Sequence, residues 1–350
     1  MRIRLTPEGD DELSDAVRYL ARQSERAAVD FLDDVRGAVV AFGDCCSAAF
    51  RTSSSIASRA TRSASTPWPI SSASRTTGRS GSASDDNPSV RQVTDILPII
   101  QRLRADPALA NLRRSLDVYY GDPARDAAMD RLYARFVKSG DLAFDVGSHV
   151  GDRIGSFRRL GARVVALEPQ PDCARVVRAL YGDDDGVRLV EAACGPRAGE
   201  LTLHINSANP TVSTAAPEFI AAADGAGGWE GQVWDRTITV PVTTLDALIA
   251  AHGRPAFVKI DVEGFEADVL AGLTMPVPAL SFEFTTIQRE VAYACLERLA
   301  ALQPRYRFNI ALGESQQLAF GSPVTAEAMA DHVRALPHEA NSGDVYATLG

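Results

Sequence analysis

The sequence lacks the features of secreted, membrane-spanning and zinc-binding proteins. Its five cysteines form no C-x-x-C pair, no apolar run reaches the roughly 18 residues of a membrane helix, and the N-terminus has no apolar signal segment. The net charge of −9 argues against a general nucleic-acid binder. We therefore expect a cytoplasmic protein with reduced cysteines and with neither a membrane nor a nucleic-acid partner. The sequence assigns no metal ligands.

Lysine is also nearly absent, because Lys138 and Lys259 are the only two in the chain. Lys259 falls in the run FVKI, which has the pattern of a buried strand. A charge inside a buried strand is costly unless it is paired or functional. The sequence therefore predicts either charged partners or a functional role for Lys259.

The N-terminal part of the chain has a composition of its own. Residues 1–45 predict a short strand followed by two amphipathic helices, and residues 1–43 resemble the opening of the ParE/RelE-type toxin family without its later strands. Residues 46–92 are rich in Ser, Thr and Arg, and the segment 51–90 contains 13 serines and 5 threonines. Such a segment buries too little apolar surface to offset its ordering entropy, so we predict a disordered linker. A natural linker and a frameshifted remnant both remain open.

From about residue 93 the chain becomes regular, and we predict one domain over 93–350 that opens with helices over 93–140. Its organising stretch is DLAFDVGSHVGDRIGSFRRLGARVVALEP, residues 141–169. Apolar runs at 142–146 and 164–167 have the pattern of strands buried on both faces of a parallel sheet, and helical periodicity lies between them. The stretch predicts a strand–turn–helix–strand unit of an α/β protein.

The turn of this unit predicts a nucleoside-binding site. Gly147 and Gly151 let backbone N–H groups approach a ligand, because no Cβ intervenes. Glu168, at the tip of the second strand, is placed to accept hydrogen bonds from ribose hydroxyls. His149 stands where a dinucleotide fingerprint has glycine, and Asp145 would repel a pyrophosphate. A carboxylate suits a sulfonium or ammonium group, so the turn favours S-adenosylmethionine over NAD, and an NAD-dependent oxidoreductase is the alternative.

Carboxylates follow several predicted strands. Asp145, Glu168, Asp261 and Glu283 all lie at or near the carboxyl ends of apolar strands, which is where open α/β sheets bind ligands. The structural alternative is a salt-bridge network around Lys259.

A long polar segment over 206–236 separates two of the later strands. Segments of this length inside a compact domain are typically lids or binding loops. Trp229 and Trp234 lie in it and suit stacking on a flat or sugar-like substrate, while a hydrophobic anchor is the alternative.

The D-V-G-x-x-x-G turn at 145–151, the Glu-Pro strand end at 168–169, the TTLD helix start at 243–246 and the KIDVEGFE block at 259–266 occur in this order. Together they resemble the FkbM-type family of S-adenosylmethionine-dependent methyltransferases over about 142–347. The resemblance implies a Rossmann-like, seven-stranded, mostly parallel sheet with helices on both faces and an antiparallel last strand. It also implies O-methylation of a hydroxyl on a sugar or small natural product, with S-adenosyl-L-methionine as cofactor.

These features assign roles to named residues. The predicted cofactor-binding residues are Asp145, Gly147, Ser148, His149, Gly151, Glu168, Pro169 and Ala192. The predicted catalytic residues are Asp261 as base or orienting group, Lys259 and Glu283; the predicted substrate-binding residues are Glu263, Trp229 and Trp234. The partner is a small-molecule or glycan acceptor, and homo-oligomerisation stays open. A non-catalytic interaction protein that uses the toxin-like segment is the alternative from a different class.

Overall fold

The computed structural model describes residues 93–349. The predictions of a toxin-like segment over 1–45 and a linker over 46–92 lie outside the described residues. Among the described helices, none combines the length and the apolar character needed to cross a membrane.

Helices and strands alternate through most of the described chain. The helices are α1 Val93–Ala105, α2 Arg113–Tyr119, α3 Pro123–Tyr133, α4 Asp152–Arg159, α5 Pro171–Tyr181, α6 Pro217–Ala223, α7 Leu245–His252, α8 Glu266–Ala271, α9 Arg289–Leu302 and α10 Ala326–Ala335. The strands are β1 Leu142–Val146, β2 Arg163–Leu167, β3 Val187–Val190, β4 Ala193–Cys194, β5 Gly199–Ile205, β6 Arg236–Thr243, β7 Phe257–Ile260, β8 Ala279–Thr285, β9 Tyr306–Leu312 and β10 Ser342–Leu349.

The main sheet has seven strands in the order β3-β2-β1-β7-β8-β10-β9. The pairs among β3, β2, β1, β7 and β8 are parallel, whereas β10 runs antiparallel to both of its neighbours. The predicted fold class, including the reversed last strand, is confirmed. A smaller sheet in the order β4-β6-β5 was not predicted.

The alternation of β1 divides the core between the two faces of the main sheet. Leu142, Phe144 and Val146 belong to one hydrophobic cluster, which includes buried residues of α8, α9 and α10. Ala143 belongs to a second cluster with buried residues of α3, α4 and α5. Helices therefore cover both faces of the main sheet.

Three local features differ from the sequence prediction. The helical region predicted over 93–140 is interrupted at Asp106, whose carboxylate accepts from Ala108 N as the cap of a 3₁₀ turn over Pro107–Leu112. The long polar segment contains α6, and α10 was not predicted at all. Thr325 caps α10 by accepting from Ala328 N, so a sequence signal for this helix did exist.

Candidate active site

A tight glycine turn brings the end of β1 against the end of β7. Gly147 has a φ of +85°, and a Cβ added there would lie 1.8 Å from the carbonyl oxygen of Asp261. Only glycine permits this approach of two backbones. The N–H groups of Gly147 and Ser148 donate to the carbonyl of Leu167 at 3.0 and 2.9 Å, so the turn is also fixed to β2. The sequence prediction assigned the close approach to a ligand; in the structure it is made by protein backbone.

Glu168 follows β2 and is held by the turn beside it. The side chain is nearly inaccessible, with the residue 2% exposed. Oε2 accepts from His149 N and Oε1 accepts from Gln170 N, each at 2.7 Å. Burial raises the pKa of Glu168 to about 8, against the opposing effect of these two hydrogen bonds. Each oxygen retains a lone pair for a further donor.

The backbone of His149 forms part of the glycine turn, and its ring contacts residues from other parts of the chain. Its φ of +46° is unusual for a residue other than glycine. The ring lies 3.5 Å from Cys173 Sγ through Nδ1 and 3.3 Å from Thr211 Oγ1 through Nε2. Burial lowers the pKa of His149 to about 4, so the ring is neutral at physiological pH.

Glu168 and the turn open onto a cavity that we call the apolar cavity. It contains about 570 Å³ of open space, including solvent at its mouth. Most of its wall is apolar, and Glu168 is the buried carboxylate at its β2 side. Its lining includes the predicted residues Gly147, His149, Glu168, Pro169, Ala192, Asp261 and Glu263. A concave, largely apolar site with few polar groups is the usual form of a small-molecule pocket.

A second cavity, which we call the acidic cavity, lies at the ends of β1, β7 and β8. It shares Gly147, His149, Thr211, Asp261 and Glu263 with the apolar cavity, so the two are contiguous. Its lining includes the predicted residues Asp145, Ser148, Lys259 and Glu283 and the unpredicted residues Tyr119, Asp152, Arg153 and Glu314.

Lys259 is completely buried and forms two ion pairs. Its Nζ donates to Asp261 Oδ2 at 2.9 Å and to Asp344 Oδ1 at 2.7 Å. Asp344 lies opposite Glu283 in the register of β10 and β8. Burial opposes ionisation of Asp261, but the charge and hydrogen bond of Lys259, a hydrogen bond with Glu283 and the charge of Arg153 together lower the pKa of Asp261. The paired Asp261 is therefore ionised at neutral pH, and its side chain, 33% exposed, opens onto both cavities.

Three further carboxylates of the acidic cavity have raised pKa values. Burial raises the pKa of Asp145 to about 7, and Asp152 adds to the shift. Burial and then the charge of Asp261 hold the pKa of Glu263 and of Glu283 well above the usual range. Glu263 has a φ of +56°, and its carbonyl accepts from Thr214 Oγ1 at 2.6 Å. The long polar segment thus fixes the turn that carries Glu263.

Two arginines neutralise Asp152 and Glu314, the carboxylates of the part of the acidic cavity that we call its outer wall. Arg125 donates to Asp152 and to Glu314 at 2.9 Å, and Arg153 donates to Asp152 at 2.5 Å and to Glu314 at 3.0 Å. Burial opposes ionisation of Glu314, but the two arginines outweigh it and lower its pKa to about 2. Each carboxylate of this wall is paired with a cation.

Two groups of predicted residues lie away from the cavities. Gly151 lines neither cavity, and a Cβ there would lie 2.9 Å from Tyr181 Cε2, so it serves helix packing. Trp229 and Trp234 line a third cavity and pack edge-on against Phe219, and Trp234 Nε1 donates to Val212 O at 2.8 Å. These contacts are those of anchors, and acceptor binding by either tryptophan stays a prediction.

The sequence reasoning missed Asp344, Arg153 and Thr211. Asp344 had the same signal as Lys259, a charge inside an apolar strand. Arg153 and Thr211 had no local signal, because their places at the cavity depend on long-range packing.

Comparison with known proteins identifies the domain that contains this site. Residues 145–315 match the family model described as "Methyltransferase FkbM domain". No curated protein matches the sequence. Solved structures with similarity include precorrin-6y C5,15-methyltransferase from Geobacter metallireducens GS-15, at 14% identity over 65% of this chain and 86% of that chain, with a TM-score of 0.34. The O-methyltransferase from Bacillus cereus in complex with SAH has 12% identity over 74% of this chain and 95% of that chain, with a TM-score of 0.36. Likenesses this distant support no inference about substrate.

The family match confirms the resemblance that the sequence motifs carry. Residues 145–315 form a methyltransferase FkbM domain, the chain is an S-adenosylmethionine-dependent methyltransferase, and this finding decides the cofactor against NAD.

Proposed function

Starting from an FkbM methyltransferase domain, we propose that the chain methylates a hydroxyl of a sugar or another small natural product. The contiguity of the two cavities at Asp261 carries this proposal. A methyl donor in the apolar cavity and an acceptor in the acidic cavity would meet beside one ionised carboxylate. Such positioning supplies much of the rate of a displacement reaction.

The residues of the apolar cavity fit S-adenosylmethionine. Glu168 retains lone pairs for ribose hydroxyls, and Pro169 and Ala192 offer apolar contact to a flat ring. Asp145 lines the contiguous acidic cavity, where its buried Oδ2 has no hydrogen-bond partner. When bound, this cofactor supplies a methyl group on a positively charged sulfur, which is an excellent leaving group.

The acidic cavity fits an acceptor that donates several hydrogen bonds. Asp261 is ionised and accepts hydrogen bonds, whereas Glu263 and Glu283, whose pKa values are raised, can also donate, and a polyhydroxylated molecule offers donors and acceptors to all three. An anionic acceptor such as a phosphate or carboxylate would be repelled by the ionised Asp261. The chemistry of this cavity therefore supports a neutral sugar-like acceptor.

Asp261 is the group that we assign to the reacting hydroxyl. Its carboxylate accepts the hydroxyl proton as positive charge develops on the oxygen that attacks the methyl group. Lys259 keeps this carboxylate oriented through the 2.9 Å hydrogen bond. Asp344 holds Lys259 from the other side, so Lys259 and Asp344 are positioning residues. Glu263 and Glu283 bind neighbouring hydroxyls.

The test is methyl transfer by the full chain from labelled S-adenosylmethionine to a panel of glycosides and their aminodeoxy counterparts. Binding of S-adenosylmethionine and S-adenosylhomocysteine is measured by calorimetry, with NAD as control. We expect adenosyl ligands to bind and label to appear on a hydroxylated acceptor. Label confined to amino compounds would contradict O-methylation, and a folded chain that binds no adenosyl ligand would contradict the assigned cofactor cavity.

A further inference from the structure

Three carboxylates in the acidic cavity are spaced as ligands of one metal ion. Asp261, Glu263 and Glu283 each offer an oxygen, and these oxygens all lie within 4.8 Å of one another. Two oxygens on opposite sides of a cation, with bonds of about 2.1–2.4 Å, lie about 4.2–4.8 Å apart. One ion therefore fits between the three side chains.

Missing partners provide a second observation. Glu263 is 8% exposed, and within residues 93–349 its carboxylate receives no hydrogen bond and no ion pair, although its backbone carbonyl has a donor in Thr214. Glu283 Oε2 is buried and has no hydrogen-bond partner. Asp145 is 1% exposed, lines the same cavity, and its Oδ2 also lacks a partner. Buried polar atoms without partners are rare in native proteins and point to a group that completes them.

The ion pairs around the acidic cavity leave Glu263 and Glu283 without a cationic partner among the described residues. Lys259 is shared between Asp261 and Asp344. Arg125 and Arg153 are both engaged by Asp152 and Glu314 on the outer wall. In the described part of the chain no side-chain cation pairs with Glu263 or Glu283. A buried carboxylate in this situation must keep a proton or bind a positive ion.

We infer that Asp261, Glu263 and Glu283 bind one divalent cation. An all-oxygen ligand set suits a hard ion of the Mg²⁺ or Mn²⁺ class. The inference deepens the proposed function and rests on it in one respect, because the cation would hold the acceptor oxygen beside Asp261. It also answers a chemical difficulty: Asp261 is a weak base for an alcohol, and coordination lowers the pKa of a bound hydroxyl.

The test is a titration of the chelator-treated full chain with Mn²⁺, in the absence of cofactor and acceptor. The electron paramagnetic resonance signal of free Mn²⁺ measures how much of the ion remains unbound. We expect one bound Mn²⁺ with a dissociation constant of roughly micromolar to submillimolar order. Glu263→Gln and Glu283→Gln should each weaken binding by at least about tenfold. Glu314→Gln is the matched control, because Glu314 lines the same cavity but is held by two arginines, and binding should change little.

Far-ultraviolet circular dichroism of each variant establishes that it is folded. Absence of Mn²⁺ binding to the wild-type chain at roughly millimolar concentration would overturn the inference. So would equal weakening by Glu314→Gln, or unchanged binding in both cluster variants. Calorimetry with S-adenosylmethionine in chelator keeps the two proposals separate: cofactor binding without Mn²⁺ binding removes the metal and leaves the methyltransferase function intact.

Discussion

The two cavities differ in how the protein satisfies their carboxylates. In the apolar cavity, Glu168 accepts two backbone hydrogen bonds from the turn and from the residue that opens α5. In the acidic cavity, Asp145 and Glu283 each have a buried oxygen without a partner. A carboxylate with a protein donor on each oxygen describes a preformed binding site, whereas buried oxygens without any partner describe a site that a ligand completes. We therefore propose that the apolar cavity is preformed for the cofactor and that the acidic cavity is completed by the ligand that enters it.

The largest effect should come from removing Lys259, the cation that pairs with Asp261. Lys259→Met leaves Asp261 and Asp344 without their shared partner in a buried setting, and breaking a buried ion pair costs about 3–5 kcal/mol. Urea unfolding of the full chain measures this loss of free energy of unfolding.

Lys138→Met is the control for this variant. Lys138 is the other lysine of the chain and is exposed, so its replacement should change stability by no more than about 0.5 kcal/mol. Equal stability of the two variants would show that Lys259 does not hold the acidic cavity together.

The pH dependence of stability, compared between wild type and a Glu168 variant, should report the buried carboxylate of the apolar cavity. The pKa of Glu168 is about 8 in the folded chain, above its ordinary value. Its contribution to stability is complete below the unfolded pKa and is lost as pH rises from about 4.5 to 8, at up to about 1.4 kcal/mol per pH unit. Glu168→Gln should remove this loss, so the stability of the variant should rise relative to that of the wild type as pH rises between those values in urea unfolding. Parallel curves would contradict the raised pKa.

The sequence contains more information about the apolar cavity than about the acidic cavity, because the residues that form the glycine turn and the β2 side of the apolar cavity are close together in the chain. One short stretch contains the strands at 142–146 and 163–167, the turn residue Gly147 and the acidic residue Glu168. The spacing between these features is itself the pattern that predicts the unit. The partners of Lys259 are set by sheet order, which brings Asp344 to it from 85 residues away. Such pairing has no local pattern. The contact of Thr214 with Glu263 likewise depends on how the long polar segment 206–236 packs against the rest of the domain. The same holds for the positions of Trp229 and Trp234.

The affinity for S-adenosylmethionine tests the role of Glu168 in cofactor binding. The measurement is made near pH 9, where a carboxyl with a pKa of about 8 is ionised. Glu168→Ala removes an acceptor for the ribose hydroxyls, and a hydrogen bond to a charged group contributes about 1.5–3 kcal/mol, so the affinity should fall roughly 10- to 150-fold in calorimetry. Glu191→Ala is the matched control, because Glu191 follows β3 as Glu168 follows β2 but is exposed, pairs with Arg178 and lines neither cavity. A similar loss in both variants would contradict a specific role for Glu168.

The smallest effect should come from the contact that holds the turn of Glu263. Thr214 is fully buried, and its hydroxyl donates to Glu263 O and accepts from Ala216 N. Thr214→Val keeps the shape but removes these hydrogen bonds, which should cost about 1 kcal/mol in urea unfolding. Because Glu263 lines the acidic cavity, Mn²⁺ affinity should weaken in the same variant while affinity for S-adenosylmethionine changes less. Thr214→Ser, which keeps the hydroxyl, should preserve Mn²⁺ affinity. A variant that weakens both ligands equally would show that the two cavities respond as one site and would remove the distinction between a preformed side and a ligand-completed side.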